Sequence, residues 1–438
     1  MPAAHLIKEF ASDRRGSVAI IFALSVVVLM GAMGLAVDTS RYYNFTSHMQ
    51  AALDAAALAG AKLIPDETQN DSDIATIVQT YYDNAMSNAG IRATSISPLS
   101  ITVDRSTSTV EAVGNATLPT LFTGISNGSS TQIVNRGSKV AFDIKKIELS
   151  MVLDITGSMN NKNKIGDLKL AANDVIDELY NASLSEDGVR IALAPYSASV
   201  NAGALAATVS AAPPSTACTV SQQGSQCDDS NGVAVDTCVI ERIGPAAATD
   251  DAPVGANKLP NAPTPPPANY FCPSASVVPL LGKSNIKTLK GILGGYTAAG
   301  GTAGHIGTAW GWYLLSPDWA SVLPAASAPK PYGDATVEKS MIIMTDGIFN
   351  TSYLTGSLDA TVQANESYAQ FDALCDGAKA KGIKVYTIGF DLSDPRALSE
   401  LQNCASGASF FFDAKTGADL KAAFHAIAQK LNTLHVTS

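Results

Sequence analysis

Apolar residues recur in this chain with helical and strand periods, and one long run is apolar on every face. The run from Gly16 to Val37 contains no charged residue. As a helix it would be about 33 Å long, which is enough to cross a bilayer. We predict a transmembrane helix at residues 16–37. A cleavable signal peptide is the alternative, but the run exceeds the roughly 7–15-residue core of such peptides.

Helical spacing continues beyond this run and predicts a membrane-proximal helix at residues 38–65. Its apolar positions are Tyr42, Phe45, Met49, Leu53 and Leu58, set among many alanines. Such a helix either lies against its own domain or offers a small-residue surface to other helices that emerge from the membrane.

Residues 66–145 predict a small α+β subdomain. A polar linker at 66–73 is followed by a helical rhythm at 74–86. Three strand-like runs then occur, divided by turn residues such as 126–128; the runs are 100–103, 109–118 and 132–142. No residue pattern in this part indicates chemistry, so a spacer or interaction role is the default.

From residue 146 to 438 strand and helix patterns alternate, which predicts a doubly wound α/β sheet. The predicted strands are 147–153, 188–197, 340–345, 383–390 and 409–413, and the predicted helices are 168–179, 285–315 (broken by a glycine turn), 362–381 and 416–434. An insert at 209–283 interrupts this order. It is rich in proline and cysteine, which predicts a long surface loop that either selects a partner or is a solvated decoration.

Charge and histidine content exclude some functions. The formal net charge is −10 and there is no basic run, which argues against nucleic-acid binding. The five histidines form no ligand-like cluster, so a zinc site is not expected. Lys8, Arg14 and Arg15 precede the apolar run, whereas Arg41 is the only nearby basic residue after it. The positive-inside rule therefore predicts a cytoplasmic segment at 1–15, with everything after Val37 across the membrane.

All six cysteines follow the apolar run, in a compartment predicted to be oxidising, so an even count indicates disulfides. We expect Cys375, on a helix, to pair with Cys404, in the loop before the last strand. The four cysteines of the insert would then pair among themselves; these are Cys218, Cys227, Cys238 and Cys272. The sequence alone permits 15 connectivities. No catalytic histidine accompanies a cysteine, so a catalytic thiol is not expected.

The candidate chemistry lies at the ends of two predicted strands. Asp154, Thr156 and Ser158 follow the first strand of the sheet and offer one carboxylate and two hydroxyls. Hard oxygens of this kind suit Mg²⁺, Mn²⁺ or Ca²⁺. Alone, this triplet is more typical of a turn with a helix N-cap than of a metal site. Two later stretches favour a metal: a glycine-rich turn with Thr302 at its centre, and a second buried strand that ends at Asp346.

The ordered set Asp-x-Thr-x-Ser, Gly-Gly-Thr and Thr-Asp-Gly resembles the von Willebrand factor A domain and its metal-ion-dependent adhesion site. The resemblance implies a metal shell, with Mg²⁺ as the expected ion and Mn²⁺ or Ca²⁺ as alternatives; the shell residues are Asp154, Thr156, Ser158, Thr302 and Asp346. Thr156 stands where many members have serine, which keeps the hydroxyl. Ala303 stands where many members have a polar residue, which alters the rim of the site.

The stretch from Arg14 to Ala61 resembles the N-terminal module of the TadE/TadG-like pilus assembly proteins, and its union with a von Willebrand A domain is similar to TadG. No Gly-x-x-x-x-Glu signature for a prepilin peptidase occurs around Gly16. The resemblance implies a single-pass protein of the bacterial inner membrane, with its bulk in the periplasm.

The expected function is therefore a protein of Flp/Tad pilus assembly or adhesion that binds a protein partner, whose carboxylate completes the metal shell. The alternative is a structural tether of a pilus or secretion complex, in which the metal site is not essential. We do not expect an enzyme, because no general base or nucleophile pair stands beside the site.

Overall fold

The structure is a computed structural model. It describes residues 16–433 except 65, 67, 89–92, 94, 106, 123–129, 142–144, 184, 213–217, 222–223, 229–233 and 262–269, and for 16–19 and the strands between 218 and 236 it describes the backbone alone. The described residues fall into two compact units, which divide between residues 142 and 143.

The first unit begins with one continuous helix, α1 (Gly16–Ala61), so the two predicted N-terminal helices are a single element. Among the described residues it is the one helix long and apolar enough to cross a membrane, and its most apolar window is only 6% buried. A buried stripe starts at Gly34 and continues through Phe45, Met49 and Leu53. The N-terminal part of α1 thus fits a single-pass membrane anchor, while its C-terminal part packs on protein.

The rest of this unit is a helix and an antiparallel sheet. Its elements are α2 (Asp71–Asn88), β1 (Ser95–Ile96), β2 (Ser100–Asp104), β3 (Thr109–Pro119) and β4 (Thr131–Ala141). Strand β3 pairs with β4 along its whole length, and with β1 and β2 on its other edge. Alternate residues of β3, among them Val110 and Ala112, are buried against α1 and α2, as expected for a sheet with one covered face.

The second unit is built on a six-stranded sheet. Its strands in chain order are β5 (Lys146–Asp154), β6 (Val189–Tyr196), β12 (Val278–Leu281), β13 (Val337–Thr345), β14 (Lys384–Phe390) and β15 (Phe411–Ala414). The spatial order is β12-β6-β5-β13-β14-β15, and every pairing is parallel except that of the edge strand β12.

Helices cover both faces of this sheet. They are α3 (Lys164–Ala182), α4 (Ala206–Val209), α5 (Ile286–Gly294), α6 (Gly304–Tyr313), α7 (Ala360–Ala380), α8 (Pro395–Cys404) and α9 (Gly417–Thr433). Two separate apolar clusters lie on the two faces, one around Trp310 and the other around Leu168. The predicted α/β fold class, a doubly wound sheet beside a small α+β unit, is confirmed.

The insert differs from the expected surface loop. Strand β12 lies inside the range 209–283 that we assigned to the insert, although it is an edge strand of the main sheet. Pro279 within it hid the strand, because proline is tolerated only at edges. Between 238 and 261, Val239 and Leu259 join the main apolar cluster. The other strands described in the insert are β8 (Cys218–Ser221), β9 (Gly224–Asp228), β10 (Ala234–Asp236) and β11 (Cys238–Val239), which pairs with β7 (Val200–Asn201).

Charged side chains explain how the insert packs. The Arg242 guanidinium is buried over the stacked rings of Tyr313 and Trp319, at 4.8 and 5.3 Å. Asp250 accepts hydrogen bonds from Ser316 Oγ at 2.5 Å and from the Tyr332 hydroxyl at 2.6 Å. These contacts join the insert to the main domain in addition to the apolar packing of Val239 and Leu259.

Two disulfides are described. Cys375 on α7 is bonded to Cys404, as predicted, although Cys404 ends helix α8 and does not lie in a loop. Cys238 is bonded to Cys272 within the insert. The side chains of Cys218 and Cys227 lie outside the described residues, and the backbone register of β8 and β9 places the two residues opposite each other.

Three charged residues lie buried at the end of the sheet opposite the candidate site. Glu148 of β5 stands beside Arg190 of β6 and Lys339 of β13 in the strand registers. Its carboxylate accepts hydrogen bonds from both cations. It also accepts from the backbone N–H of Lys330 at 3.0 Å.

Candidate metal site

The predicted residues lie at the topological switch point of the sheet. Strands β5 and β13 are parallel neighbours, and the chain winds from them towards opposite edges. Their carboxyl ends therefore border a crevice, where doubly wound proteins bind ligands. Asp154 is the last residue of β5, and Asp346 directly follows β13.

Asp154 is completely buried and held by three donors. Its Oδ1 accepts from the backbone N–H of Thr156 at 2.9 Å, and its Oδ2 accepts from Thr345 Oγ1 at 2.7 Å and the Tyr196 hydroxyl at 3.2 Å. Burial, and then the charge of Asp346, raise the pKa of Asp154 to about 6 despite these donors. The two neighbouring carboxylates repel each other, so a cation between them would be stabilising.

A chain of hydrogen bonds joins the loop after β5, which carries Thr156 and Ser158, to Asp346. The hydroxyls of Thr156 and Ser158 are 3.0 Å apart, and Ser158 Oγ donates to Asp346 Oδ1 at 2.5 Å. The short 3-10 helix Gly157–Asn163 carries Ser158 into this position. Oxygens from two loops, 188 residues apart in sequence, thus form one cluster.

Thr302 belongs to the same place. Its backbone N–H donates to Asn350 Oδ1 at 2.8 Å, and its carbonyl accepts from the N–H of Asn350 at 3.0 Å. A methyl group built on Gly347 would lie 3.6 Å from Ser158 Oγ and 3.9 Å from Thr302 Oγ1. Both hydroxyls therefore face the same stretch of backbone beside Asp346.

The glycine turn also ties two of the loops together directly. The N–H of Gly157 donates to the carbonyl of Gly300 at 2.9 Å. Gly300 has φ of +82°, and a Cβ there would meet Ser197 Oγ at 2.4 Å. Glycine is required at this turn for both reasons.

Sequence reasoning missed Lys164, whose ammonium group is buried against the site. Lys164 Nζ lies 3.0 Å from Asp346 Oδ2 and 3.4 Å from Asp391 Oδ2. Asp391 in turn pairs with Lys162 at 2.7 Å. No sequence pattern marks this lysine. Lys162 and Asn163, which have positive φ, turn the chain just before α3, and this turn sets the direction in which Lys164 points. Lys164 neutralises one oxygen of Asp346 and leaves the other to Ser158.

The donor set fits a hard divalent cation. Every side-chain donor is a carboxylate or hydroxyl oxygen, which suits Mg²⁺ far better than a soft metal. Among the residues that the structure describes, no group of three or more His, Cys, Asp or Glu residues is placed to hold a metal. Any ion here would therefore depend on the hydroxyls and would keep positions free for water or an external ligand.

The fold and this site define a doubly wound domain with a candidate metal-binding crevice, in a chain whose first described element is an apolar helix. Residues 16–63 match the family model described as Flp pilus-assembly TadE/G-like. The predicted resemblance of the N-terminal module is confirmed by this match. The match covers α1 and the turn after it, a minor part of the chain. No curated protein sequence matches the chain.

Solved structures similar to this chain include several pilus proteins. The vWF domain of the type V pili tip protein Mfa5 from Porphyromonas gingivalis is 15% identical, with a TM-score of 0.39, over 67% of this chain and 98% of that one. The pilus adhesin SpaC from Lactobacillus rhamnosus GG is 13% identical, with a TM-score of 0.38, over 76% of this chain and 34% of that one. This chain thus spans about a third of the adhesin's length.

A third similar structure is proximal thread matrix protein 1 from the mussel byssus, solved with a zinc-occupied MIDAS motif. It is 12% identical, with a TM-score of 0.32, over 67% of this chain and 47% of that one. All three likenesses are distant, so the sheet order of this chain itself defines its fold.

Proposed function

We propose that this protein is a membrane-anchored component of a Flp/Tad pilus assembly, and that its doubly wound domain binds a protein partner through a divalent cation. Asp154, Thr156, Ser158, Thr302 and Asp346 would hold the ion, with Mg²⁺ expected and Mn²⁺ or Ca²⁺ as alternatives. When bound, the ion supplies a positive charge that attracts a carboxylate of the partner. This role is recognition and not catalysis.

The observation that carries this proposal is the meeting of three loops at Gly347. Hydroxyls of Ser158 and Thr302 face its backbone, and Ser158 contacts the adjacent Asp346. With only two carboxylates in the set, a divalent ion is not overcompensated, and an incoming acidic group gains Coulombic energy. The match of residues 16–63 to a pilus-assembly family supports the assembly context.

We place the N-terminus in the cytoplasm and both compact units in the periplasm of the bacterial inner membrane. The positive-inside pattern supports this orientation. The two disulfides also suit an oxidising compartment. Protease accessibility on intact spheroplasts tests it: both units should be degraded without detergent, and protection of either unit would contradict the orientation.

Thr302→Ala tests the site directly. The substitution removes one hydroxyl donor and leaves both carboxylates, so Mg²⁺ affinity should fall by about tenfold or more, in the range that loss of a supporting metal contact costs. Calorimetric titration of the full chain in detergent measures this. Thr355→Ala is the matched control, because Thr355 is exposed and bonded to Glu366. Equal affinities of both variants would rule out Thr302 as a ligand.

The partner step needs a separate readout. Cross-linked capture from membranes should recover the same protein with the wild type and with Thr355→Ala in Mg²⁺, and should lose it in chelator or with Thr302→Ala. Capture that is unchanged by chelator would contradict recognition through the metal.

One observation favours the structural tether as a second candidate function. Lys164 already places a positive charge 3.0 Å from Asp346, so the fold can neutralise this carboxylate without a metal. Exchange of residues 16–37 for an unrelated membrane helix separates the candidates. A tether loses assembly with this exchange, whereas metal-dependent recognition keeps part of its partner capture.

The insert is expected to support the loop that carries Thr302, and it does so through Glu241. Its carboxylate accepts from Ser352 Oγ at 3.0 Å and from the N–H of Tyr353, close to the Asn350 that holds Thr302. Burial favours the neutral acid, but the nearby His305, 3.7 Å from the carboxylate, and the N–H of Tyr353 outweigh burial and lower the pKa of Glu241.

Glu241→Ala should therefore weaken Mg²⁺ binding by about tenfold, the lower end of the loss expected from an outer-shell partner. Glu366→Ala is the control, because the Glu366 carboxylate accepts from Thr355 Oγ1 and has no described hydrogen bond to Asn350, Ser352 or Tyr353. Calorimetric titration compares the two, and an unchanged affinity in Glu241→Ala would show that the insert does not support the site.

A further inference from the structure

The hairpin between β3 and β4 contacts α1 inside the segment that is apolar enough to cross a membrane. A Cβ built on Gly34 would lie 2.6 Å from Phe122 Cβ, so the phenylalanine side chain rests directly on the glycine. Gly34 lies three residues before Val37, where the uncharged run ends. At 1.5 Å per residue this contact is about 4.5 Å inside the end of the run.

Polar contacts fix this approach. The Asp38 carboxylate is buried and accepts from the N–H groups of Leu121 and Phe122 at 3.0 and 2.9 Å. The Arg41 guanidinium donates to the carbonyl of Pro119 at 3.3 Å. The first charged residue after the apolar run is therefore satisfied by the hairpin, which cannot shift along α1 without losing these bonds.

The two residues after β3 that meet α1 are apolar and exposed within their own unit. Leu121 is 55% exposed and Phe122 is 46% exposed. The sequence contains no charged residue from Ala112 to Asn135. Such a segment is suited to the boundary between lipid headgroups and acyl chains, where a charge would be costly and aromatic residues are favoured.

We propose that Leu121 and Phe122, which follow β3, enter the lipid surface beside α1 and lie at the level of the acyl chains. The occupant of the apolar surface is then the bilayer itself, because any membrane that covers α1 up to Val37 must also reach Phe122. The first unit is held against the membrane by side chains as well as by its helix. This inference rests on the membrane-anchor part of the proposed function and is independent of the metal site.

Tryptophan substitution in the full chain tests the insertion. The three native tryptophans are buried in the doubly wound domain and supply a constant background for subtraction. Phe122→Trp and, as a second probe, Leu121→Trp are reconstituted in phosphatidylcholine–phosphatidylglycerol vesicles with or without brominated acyl chains. Tyr81→Trp is the control, because Tyr81 on α2 is 56% exposed and lies far from the apolar run. The hydroxyl of the adjacent Tyr82 lies near Gly114, which contacts Met49, and Met49 is 15 residues along α1 from Gly34.

The added emission at positions 121 and 122 should be blue-shifted and mostly lost in brominated vesicles, while that at position 81 should stay unchanged. A blue shift without quenching would mean that protein, for example a second copy, covers the hairpin, and would overturn the inference. Unshifted, unquenched emission at both positions would overturn it as well. Extraction of the protein by alkaline carbonate would instead show that α1 is not an anchor, so the two failures are distinguishable.

Discussion

Glu148→Ala is expected to destabilise the doubly wound domain by about 3–5 kcal/mol, the usual cost of breaking a buried ion pair from one side. Glu148 is 1% exposed, and Arg190 and Lys339 beside it are each 7% exposed. Burial lowers the pKa of Lys339, and the Glu148 carboxylate is the main group that opposes this shift. Without Glu148, two buried cations would remain on β6 and β13, the strands that flank β5, without the carboxylate that bonds both of them.

Urea unfolding of the full chain, followed by tryptophan fluorescence, measures this effect. All three tryptophans are buried in the second unit, so the signal reports that unit alone. The control is the triple variant in which Glu148, Arg190 and Lys339 are all replaced by methionine. It removes the charges together and should cost less than Glu148→Ala. A triple variant as unstable as Glu148→Ala would assign the stabilisation to backbone contacts, such as that of Lys339 with the carbonyl of Leu315.

Sequence patterns predicted the parallel strands and their helices because burial on both faces leaves a clear signal. Strand β5 is buried at eight consecutive positions, and its only charged residue between Ile147 and Leu153 is Glu148. The face of α3 formed by Leu168, Val175 and their helical neighbours is buried as expected. The candidate site followed from the same signal, since polar residues directly after such strands reach one edge of the sheet.

Features that depend on distant pairings left no such signal. Lys164 meets Asp346 across 182 residues, and Asp38 meets Leu121 across 83. In both cases a local pattern offered several partners, and tertiary packing selected one of them. Helix α8 was not predicted, although its start carries a local signal: Pro395 is its first residue, and Asp394 caps it by accepting from the N–H of Ala397.

Asp154→Asn is expected to stabilise the metal-free protein at pH 7.5, by about 1–3 kcal/mol for a pKa shift of roughly two units. Burial and Asp346 raise the pKa of Asp154 to about 6, so at neutral pH its charge opposes folding. Asparagine keeps the acceptor for the N–H of Thr156, and the hydroxyls of Thr345 and Tyr196 can rotate to accept from its amide.

The pH dependence of this gain has a definite sign. The folded-state pKa of Asp154 is raised above the usual value of 3.8. Below about pH 4 the carboxyl is neutral in both states and costs no stability, and the wild type loses stability as the pH rises through 6. Asparagine does not titrate, so the advantage of the variant should be small at pH 4 and largest above pH 6. Urea unfolding in chelator across this range measures the difference.

Mg²⁺ should reverse the order of the two proteins. At a concentration of 1,000 times Kd, a bound ion stabilises the wild type by about 4.1 kcal/mol, which exceeds the advantage of the variant. Asp154→Asn lacks a ligand carboxylate and should gain almost nothing. Asp391→Asn is the control: it removes a carboxylate paired with Lys162 and Lys164 outside the proposed shell. It should lose stability in chelator and keep its response to Mg²⁺. If Asp154→Asn is less stable in chelator, the buried charge of Asp154 does not oppose folding. If it responds to Mg²⁺ like the wild type, the site does not hold a cation through Asp154.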